Sequence, residues 1–474
     1  MPSPYTAPVD GPLLGRRFAV TGCGPAADEA RELLALFSAA DDAGPAVRAD
    51  APCDGRLWAR SGAMELTGRP DGPPLAPSAP VASRLRGAAA VLAALSAALG
   101  REVLVDGPAL LAERAALTGW RRAGDSSVGG ACRLVPAADG FLALSLARPA
   151  DVELVGAWLH LNQPPACTAQ AWAAAAHVAG RKPAGELVAR AVELGLPAAQ
   201  KPPATPRPRP PLQARRVGAP REPGAATPVV LDLSALWAGP LCASLLGHAG
   251  ATVVKVEAAD RLDGARGGPP AFYDLLNGGH LSVVLDLHSP QGHEQLLRLV
   301  RSADVVVSAA RPQALRALGL DPEAEVSASP GLTWVAVTAH GTSAQDARRV
   351  GFGDDCAVAG GLLLDDGDGP VFVADAAADP MTGLYGAVAA LACLLGGGGY
   401  VVDLSLREVA GHVARGGSTV PRQARQLADG SWVLDTEDGP EPVRPPAARR
   451  ARGRSASAGV DTSRLLASLA GRAR

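Results

Sequence analysis

The stretch VVLDLSALWAGPLCASLLGHAGATVVKVE, residues 229–257, decides the fold class. Val229, Val230, Leu231 and Leu233 form a short apolar run that ends at Trp237-Ala238-Gly239-Pro240. Leu241, Leu245 and Leu246 then recur at helical spacing as far as Gly250. Thr252 to Glu257 is a second run rich in β-branched residues, so strand, turn, helix and strand follow one another without a break.

The same alternation continues downstream. Ser282 to Asp286 reads as a strand, residues 289–301 as a helix, and Val305-Val306-Val307 and Thr333 to Val337 as further strands. Continuous Val-rich strands separated by helices indicate a parallel sheet covered on both faces. The expected class is α/β, a doubly wound Rossmann-like sheet.

Upstream, Lys201 to Pro228 carries prolines at 202, 203, 206, 208, 210, 211, 220, 223 and 228. Proline removes backbone donors, so this segment reads as an extended linker (201–228) that continues neither a helix nor a ladder. The half before it contains an internal echo of the half after it. Ser61 to Leu66 with Asp71-Gly72-Pro73 parallels Gly360 to Leu364 with Asp368-Gly369-Pro370. An Ala-rich helix follows each, 84–99 and 380–395, then a short strand with an Asp, Val103 to Asp106 and Val401 to Asp403. Arg17 to Gly22 and residues 26–38 read as one more strand and helix. The segment Gly416 to Ser457, rich in Arg and Pro, reads as an extended surface excursion before a short helix at Asp461 to Leu469.

Bulk properties narrow the function. The 474 residues suffice for two or three domains. A formal net charge of -2 argues against a nucleic-acid binder, which needs surplus cations. Seven scattered cysteines, none in a C-x-x-C pair, fit reduced thiols and a cytoplasmic setting. Met1 to Leu14 lacks the pattern of a signal peptide, and Met381 to Leu395 is too short to span a bilayer, so no membrane association is expected. No histidine or cysteine spacing matches a metal site, and Asp365 to Gly369 lacks the terminal Glu of a calcium loop, so no metal is expected.

Six blocks in order carry a family resemblance: 229–257, LNGGHLSVVLDL (276–287), ADVVVSAARPQALRALGLD (303–321), RVGFGDDCAVAGGLL (349–363), VADAAADPMTGLYGAVAALACLL (373–395) and YVVDLSL (400–406). Together they resemble the family III coenzyme A transferases, the CaiB/BaiF family. Residues 138–159 and 186–199 are similar to that family's small second domain, and 442–469 to its returning tail. The resemblance implies a rearranged two-copy chain. Residues 1–118 would be a partial, degenerate copy, 119–200 the small domain and 229–474 the large domain with its tail.

The resemblance also implies chemistry. In the family an aspartate attacks an acyl-CoA thioester and later carries the coenzyme as an aspartyl thioester, so acyl-CoA and a small carboxylic acid are the implied partners, with no resident cofactor. Asp379, in Asp379-Pro380-Met381-Thr382-Gly383, matches the nucleophile with Gly383 at the family's offset. Asp379 is expected at the N-cap, ionised at pH 7 and favoured by the helix dipole. An aspartate before proline at a helix start is most often a plain cap, and it is the surrounding blocks that reverse this reading. Asp375 lacks the glycine at that offset and reads as structural, and the equivalent position of the first copy is Ser83, which leaves that copy inert. Ala238, Gly239 and Pro240 match the turn that approaches the coenzyme, and Arg266 and Arg311 match phosphate-binding arginines. The family's basic N-R-G-K-R-S phrase stands here as Asn277-Gly278-Gly279-His280-Leu281-Ser282, with cations lost. A homodimer is implied. The alternative is a drifted, non-enzymatic binder of CoA thioesters. A dinucleotide enzyme is disfavoured because no G-x-G-x-x-G follows the first strand, and racemisation because Phe352-Gly353 supplies no proton carrier.

Overall fold

The computed structural model describes residues 10–202, 209–222 and 227–470, with side chains to 468. The proline-rich segments 203–208 and 223–226 of the expected linker lie outside the described residues.

A seven-stranded sheet organises the C-terminal half. Its strands run across the sheet as Leu281–Leu285, Thr252–Ala258, Val229–Leu233, Val305–Ser308, Thr333–Thr338, Tyr400–Ser405 and Leu212–Arg216. The first six are parallel, and their Val-rich sequences are buried on both faces, as the apolar runs predict. The chain winds outward from Val229–Leu233 to one edge and then crosses back to Val305–Ser308. The crevice between the carboxyl ends of those two strands is therefore the topological switch point, where open α/β sheets bind ligands.

The edge strand Leu212–Arg216 corrects the linker reading, because it pairs antiparallel with Tyr400–Ser405. Its sequence, LQARR, lies between proline clusters and contains none. An edge strand needs donors toward one neighbour only. The surface excursion is also more ordered than expected. Arg425–Gln426, Trp432–Thr436 and Gly439–Pro442 form a small sheet, and Arg422–Gln423 pairs with Leu75–Ala76. The closing helix is present at Thr462–Ala470.

The first half repeats the βα succession on a smaller scale. Strands Arg17–Thr21 and Ala40–Arg48 pair in parallel around the helix Pro25–Leu36. Val103 to Asp106, expected as a strand, forms none, and Leu104 is 76% exposed. The local sheet ends after two strands, so nothing is there to pair with it. Residues 132–199 form a separate layer of three antiparallel strands under three helices, with Leu142, Leu144, Trp158 and Trp172 in its core.

Two 18-residue helices, Val81–Ala98 and Ala378–Leu395, pack against each other at the centre. Both are long and apolar enough to cross a membrane by length and composition, yet 72% and 89% of their spans are buried inside the protein, the setting of core helices. Each rests a glycine on an earlier helix of its own half, Pro25–Leu36 or Ala238–His248. A Cβ on Gly87 would collide with the Ala26 carbonyl, and one on Gly383 would meet the Ala238 carbonyl at 2.8 Å. Buried Glu29 ties the two halves together, accepting from the Tyr385 hydroxyl at 2.8 Å and pairing with His412 at 2.8 Å. A buried carboxylate needs partners of this kind.

Candidate active site

Asp379 is reached through a strained approach. Ala374 and Ala376 both have left-handed backbone, φ 56° and 44°, which costs a non-glycine residue roughly 1–3 kcal/mol each. Their amides are held from outside the loop. Ala374 N–H donates to Thr67 Oγ1 at 3.0 Å, and Ala376 N–H donates to Asp354 Oδ1 at 3.1 Å. Between them Asp375 is fully buried and accepts two bonds from Arg114, at 2.9 and 2.5 Å.

The helix begins at Ala378 with Ala377 as its cap, so Asp379 lies inside the first turn and is not the cap residue. The left-handed residues before it swing the chain into the helix without an Asx cap. The helix dipole still favours an anion at this place. Asp379 keeps a partial opening to solvent, whereas Pro380, Met381 and Thr382 beside it are buried. Its carboxylate meets the first residue of the helix Gly353–Ala359. A Cβ on Gly353 would lie 2.5 Å from Asp379 Oδ2 and would collide with the Ala376 carbonyl. Glycine at 353 is therefore what lets the two helix starts approach.

Around this point Asp354, Asp375 and Asp379 share the Arg114 guanidinium, and Asp355 adds a fourth carboxylate beside them. Burial pushes Asp379 up to about 7; Arg114 and the Gly353 amide pull it down, and Asp355 and Asp375 push it further up. Asp354 is likewise raised to about 7, by burial and then by Asp375. Asp355 is raised to about 6 by burial, against bonds from the Ser145 hydroxyl and the Phe352 amide. The expectation that Asp379 is fully ionised at pH 7 is thus corrected, because crowding among acids in a dry site disfavours the charged form.

Arg114 itself lies against Trp237 at 4.6 Å, Trp120 at 5.2 Å and Phe272 at 5.9 Å. This stack fixes a cation beside Asp379. Sequence reading missed Arg114, Asp354, Asp355 and Ser145. Arg114 is 261 positions from its partner Asp375, and Ser145 is 210 from Asp355, so no local pattern reports either pair.

The remaining expected residues fall in three places. Ala238, Gly239 and Pro240 are the buried first turn of the helix Ala238–His248, not a free turn, and Gly239 faces the Ser234 side chain. Arg266 forms a bidentate pair with Glu257 at 2.8 and 2.5 Å and lies over the Tyr273 ring. Arg311 is exposed just past the Val305–Ser308 strand, at the switch point, without an ion pair among the described residues. Gly383 serves the helix packing described above. In the first copy Ser83 is buried, and its N–H donates to Asp54 Oδ1 at 2.7 Å.

Among the described residues, two groups bring metal-type donor atoms within 4.8 Å of one another, His340 with Asp355 and Cys356, and Glu29 with Glu32 and His412. Neither was visible as sequence spacing. In the first, burial pushes the Cys356 thiol well up and His340 down to about 3, and Asp355 is already occupied by Ser145 and Phe352. In the second, His412 already pairs with Glu29.

Known proteins are similar to the part of the chain that carries this site. Residues 228–427 match CoA-transferase family III. The chain is 30% identical over 238 residues to the succinyl-CoA–D-citramalate CoA-transferase of Chloroflexus aurantiacus, covering 43% of this chain and 59% of that one. It is 34% identical over 202 residues to the succinate–glutarate CoA-transferase of Agrobacterium fabrum, covering 38% and 50%. Among solved structures, a CAIB/BAIF family protein from Brucella suis is 26% identical, with a TM-score of 0.40, over 46% of this chain and 66% of that one. The chain therefore spans only 50% to 59% of the two curated relatives. Through the sheet and helices of residues 228–427, which carry Asp379 and its glycine-backed helix start, this chain is similar to CoA-transferase family III.

Proposed function

We propose that the chain moves coenzyme A from an acyl-CoA thioester to a carboxylic acid, with Asp379 as the nucleophile. The observation that carries this reading is the partly open Asp379 carboxylate in a helix first turn, against the Gly353 amide and beside Arg114. Ionised Asp379 attacks the thioester carbonyl and expels CoA thiolate, leaving a mixed anhydride. The thiolate then attacks the aspartyl carbonyl and releases the donor acid, so that the coenzyme is held as an aspartyl thioester. The acceptor carboxylate reverses both steps and restores Asp379. Arg114 and the helix dipole favour the anionic forms at this carbon.

Trapping tests the proposal. Incubation with an acyl-CoA, followed by mass analysis of the digested chain, is expected to place the adduct on the peptide containing Asp379. Exchange that persists undiminished in Asp379→Asn would remove Asp379 from this role.

A second reading, a drifted binder of CoA thioesters without turnover, draws support from Arg266, which is tied to Glu257, and from the loss of cations in Asn277 to Ser282. It predicts coenzyme binding with no adduct. A cytoplasmic, homodimeric protein that uses coenzyme A as substrate, with no resident cofactor, completes the proposal. The seven free cysteines support the cytoplasmic setting, and light-scattering mass tests the dimer.

A further inference from the structure

At the far end of the Ala238–His248 helix, roughly 15 Å along its axis from Trp237, cationic side chains gather from distant parts of the chain. His280 is 5% exposed, and neither of its ring nitrogens has a hydrogen-bond partner. A Cβ on Gly247 would lie 2.5 Å from Arg452 Nη1 and 3.6 Å from His280 Nε2, so the two side chains meet beside this helix at Gly247. Arg101, from the first half, reaches Gly250 at the helix end. Arg449 spends its Nε on Glu113, while its two terminal nitrogens are buried without partners. Among the described residues neither Arg101 nor Arg452 has an ion pair.

These groups repel one another. His248 is held down by burial and, against its bond to Ser244, by Arg449, Arg452 and Arg101. Arg452 is held down by burial and by Arg101, and His280 by burial, Lys255, Arg452 and His248. Arg101 and Arg452 converge beside the buried His280 imidazole without an ion pair to answer them, a setting that a bound anion would stabilise. Arginine forks match phosphate oxygens in pairs.

The tail reaches this place at Gly278. Gly278 bridges to Ser455, and any side chain at 278 would collide with the Gly453 carbonyl. Arg452 lies over the phrase at Gly279. We propose that Arg101, His280 and Arg452, backed by His248 and Arg449, form a phosphate-binding site, assembled from the first half, the 277–282 phrase and the tail. This site requires no acyl transfer, and its ligand is either free phosphate or a phosphate group of the coenzyme.

Calorimetric titration of the full chain at low salt, with pyrophosphate, CoA and dephospho-CoA, tests the site. Arg101→Gln/Arg452→Gln is expected to weaken pyrophosphate binding about tenfold or more. Without ligand the double variant is expected to melt no lower than the parent, since repulsion is relieved; a packing role would lower it and count against the site. A parallel loss for CoA but not dephospho-CoA would assign the site to the coenzyme's 3′-phosphate. Loss for pyrophosphate with CoA unchanged would assign it to free phosphate. Asp379→Asn is expected to bind pyrophosphate with unchanged affinity, which separates this site from the transfer reaction. Failure of the parent chain to bind any of the three, or equal binding by the double variant, overturns the proposal.

Discussion

The two long central helices begin in the same way and end up with different chemistry. Each is 18 residues, and each lays a glycine on the first helix of a βα unit earlier in its own half. At Val81 the helix start is closed, because Ser83 is buried and its amide is taken by Asp54 from a neighbouring helix. At Ala378 the start is open, the carboxylate belongs to the helix itself, and Gly353 allows a second helix start to meet it. Packing glycines preserve a scaffold, and a reactive group needs in addition an access path and surroundings that set its charge.

The sharpest way to break this comparison is to exchange the polar residues at the two starts. Asp379→Asn is expected to lower transfer by about 10³-fold or more, since it removes the attacking group. Ser83→Ala is expected to leave transfer within about twofold, because Ser83 contributes its backbone amide to Asp54. Steady-state exchange between acyl-CoA and free acid measures both. Activity in Ser83→Ala that falls as far as in Asp379→Asn would end the distinction.

Removing the cation comes next. Arg114→Ala leaves Asp375 buried and unpaired, and is expected to cost roughly 3–5 kcal/mol of stability. Arg114→Lys keeps the charge but loses the fork and the stacking on Trp237, so chemical denaturation should place it between the parent and Arg114→Ala.

The charge state of Asp379 gives a pH test with a definite sign. Its folded value of about 7 lies above the ordinary 3.8, so the fold disfavours the ionised form. The stability linked to this group is full below pH 3.8 and is lost as pH rises through about 7. Asp379→Asn should therefore melt higher than the parent at pH 8, by on the order of 1–4 kcal/mol, with the difference vanishing toward pH 4. Transfer by the parent should rise through pH 7. A rate already flat from pH 5 would show that Asp379 is not held in its protonated form.

The smallest expected effect lies at the glycines. Gly353→Ala should destabilise by about 1–3 kcal/mol and also impair transfer, because the new methyl meets Asp379. Gly87→Ala, which meets only backbone and the Glu29 side chain, should destabilise by a similar amount while specific activity in the folded fraction is kept. Paired melting curves and rates per folded molecule separate the two.

Legibility differed between local and distant features. The Val-rich strands and the glycine of Asp379-Pro380-Met381-Thr382-Gly383 are written in runs of a few residues, so the parallel sheet and the long helix could be read directly. The strand Leu212–Arg216 was hidden, because an edge position tolerates the flanking prolines that argue against a central one. The strand expected at Val103 to Asp106 carries the right residues but finds no neighbour, and strand preference is realised only by pairing. Arg266 illustrates a limit of another kind, a cation whose charge is already answered by Glu257.

By itself the amino-acid order determined the α/β class, the succession of strands and helices from Val229 onward, and the position of Asp379 at a helix start. Those depend on periodicity and on residues a few places apart, which the chain states locally. Only the tertiary structure decided that Arg114 and Ser145, from the first half, complete the surroundings of Asp379, that its carboxyl is raised to about 7, and that Arg452 of the tail lies over Gly279 of the 277–282 phrase. Electrostatic environment depends on distance in space and on water excluded, and neither follows from separation along the chain.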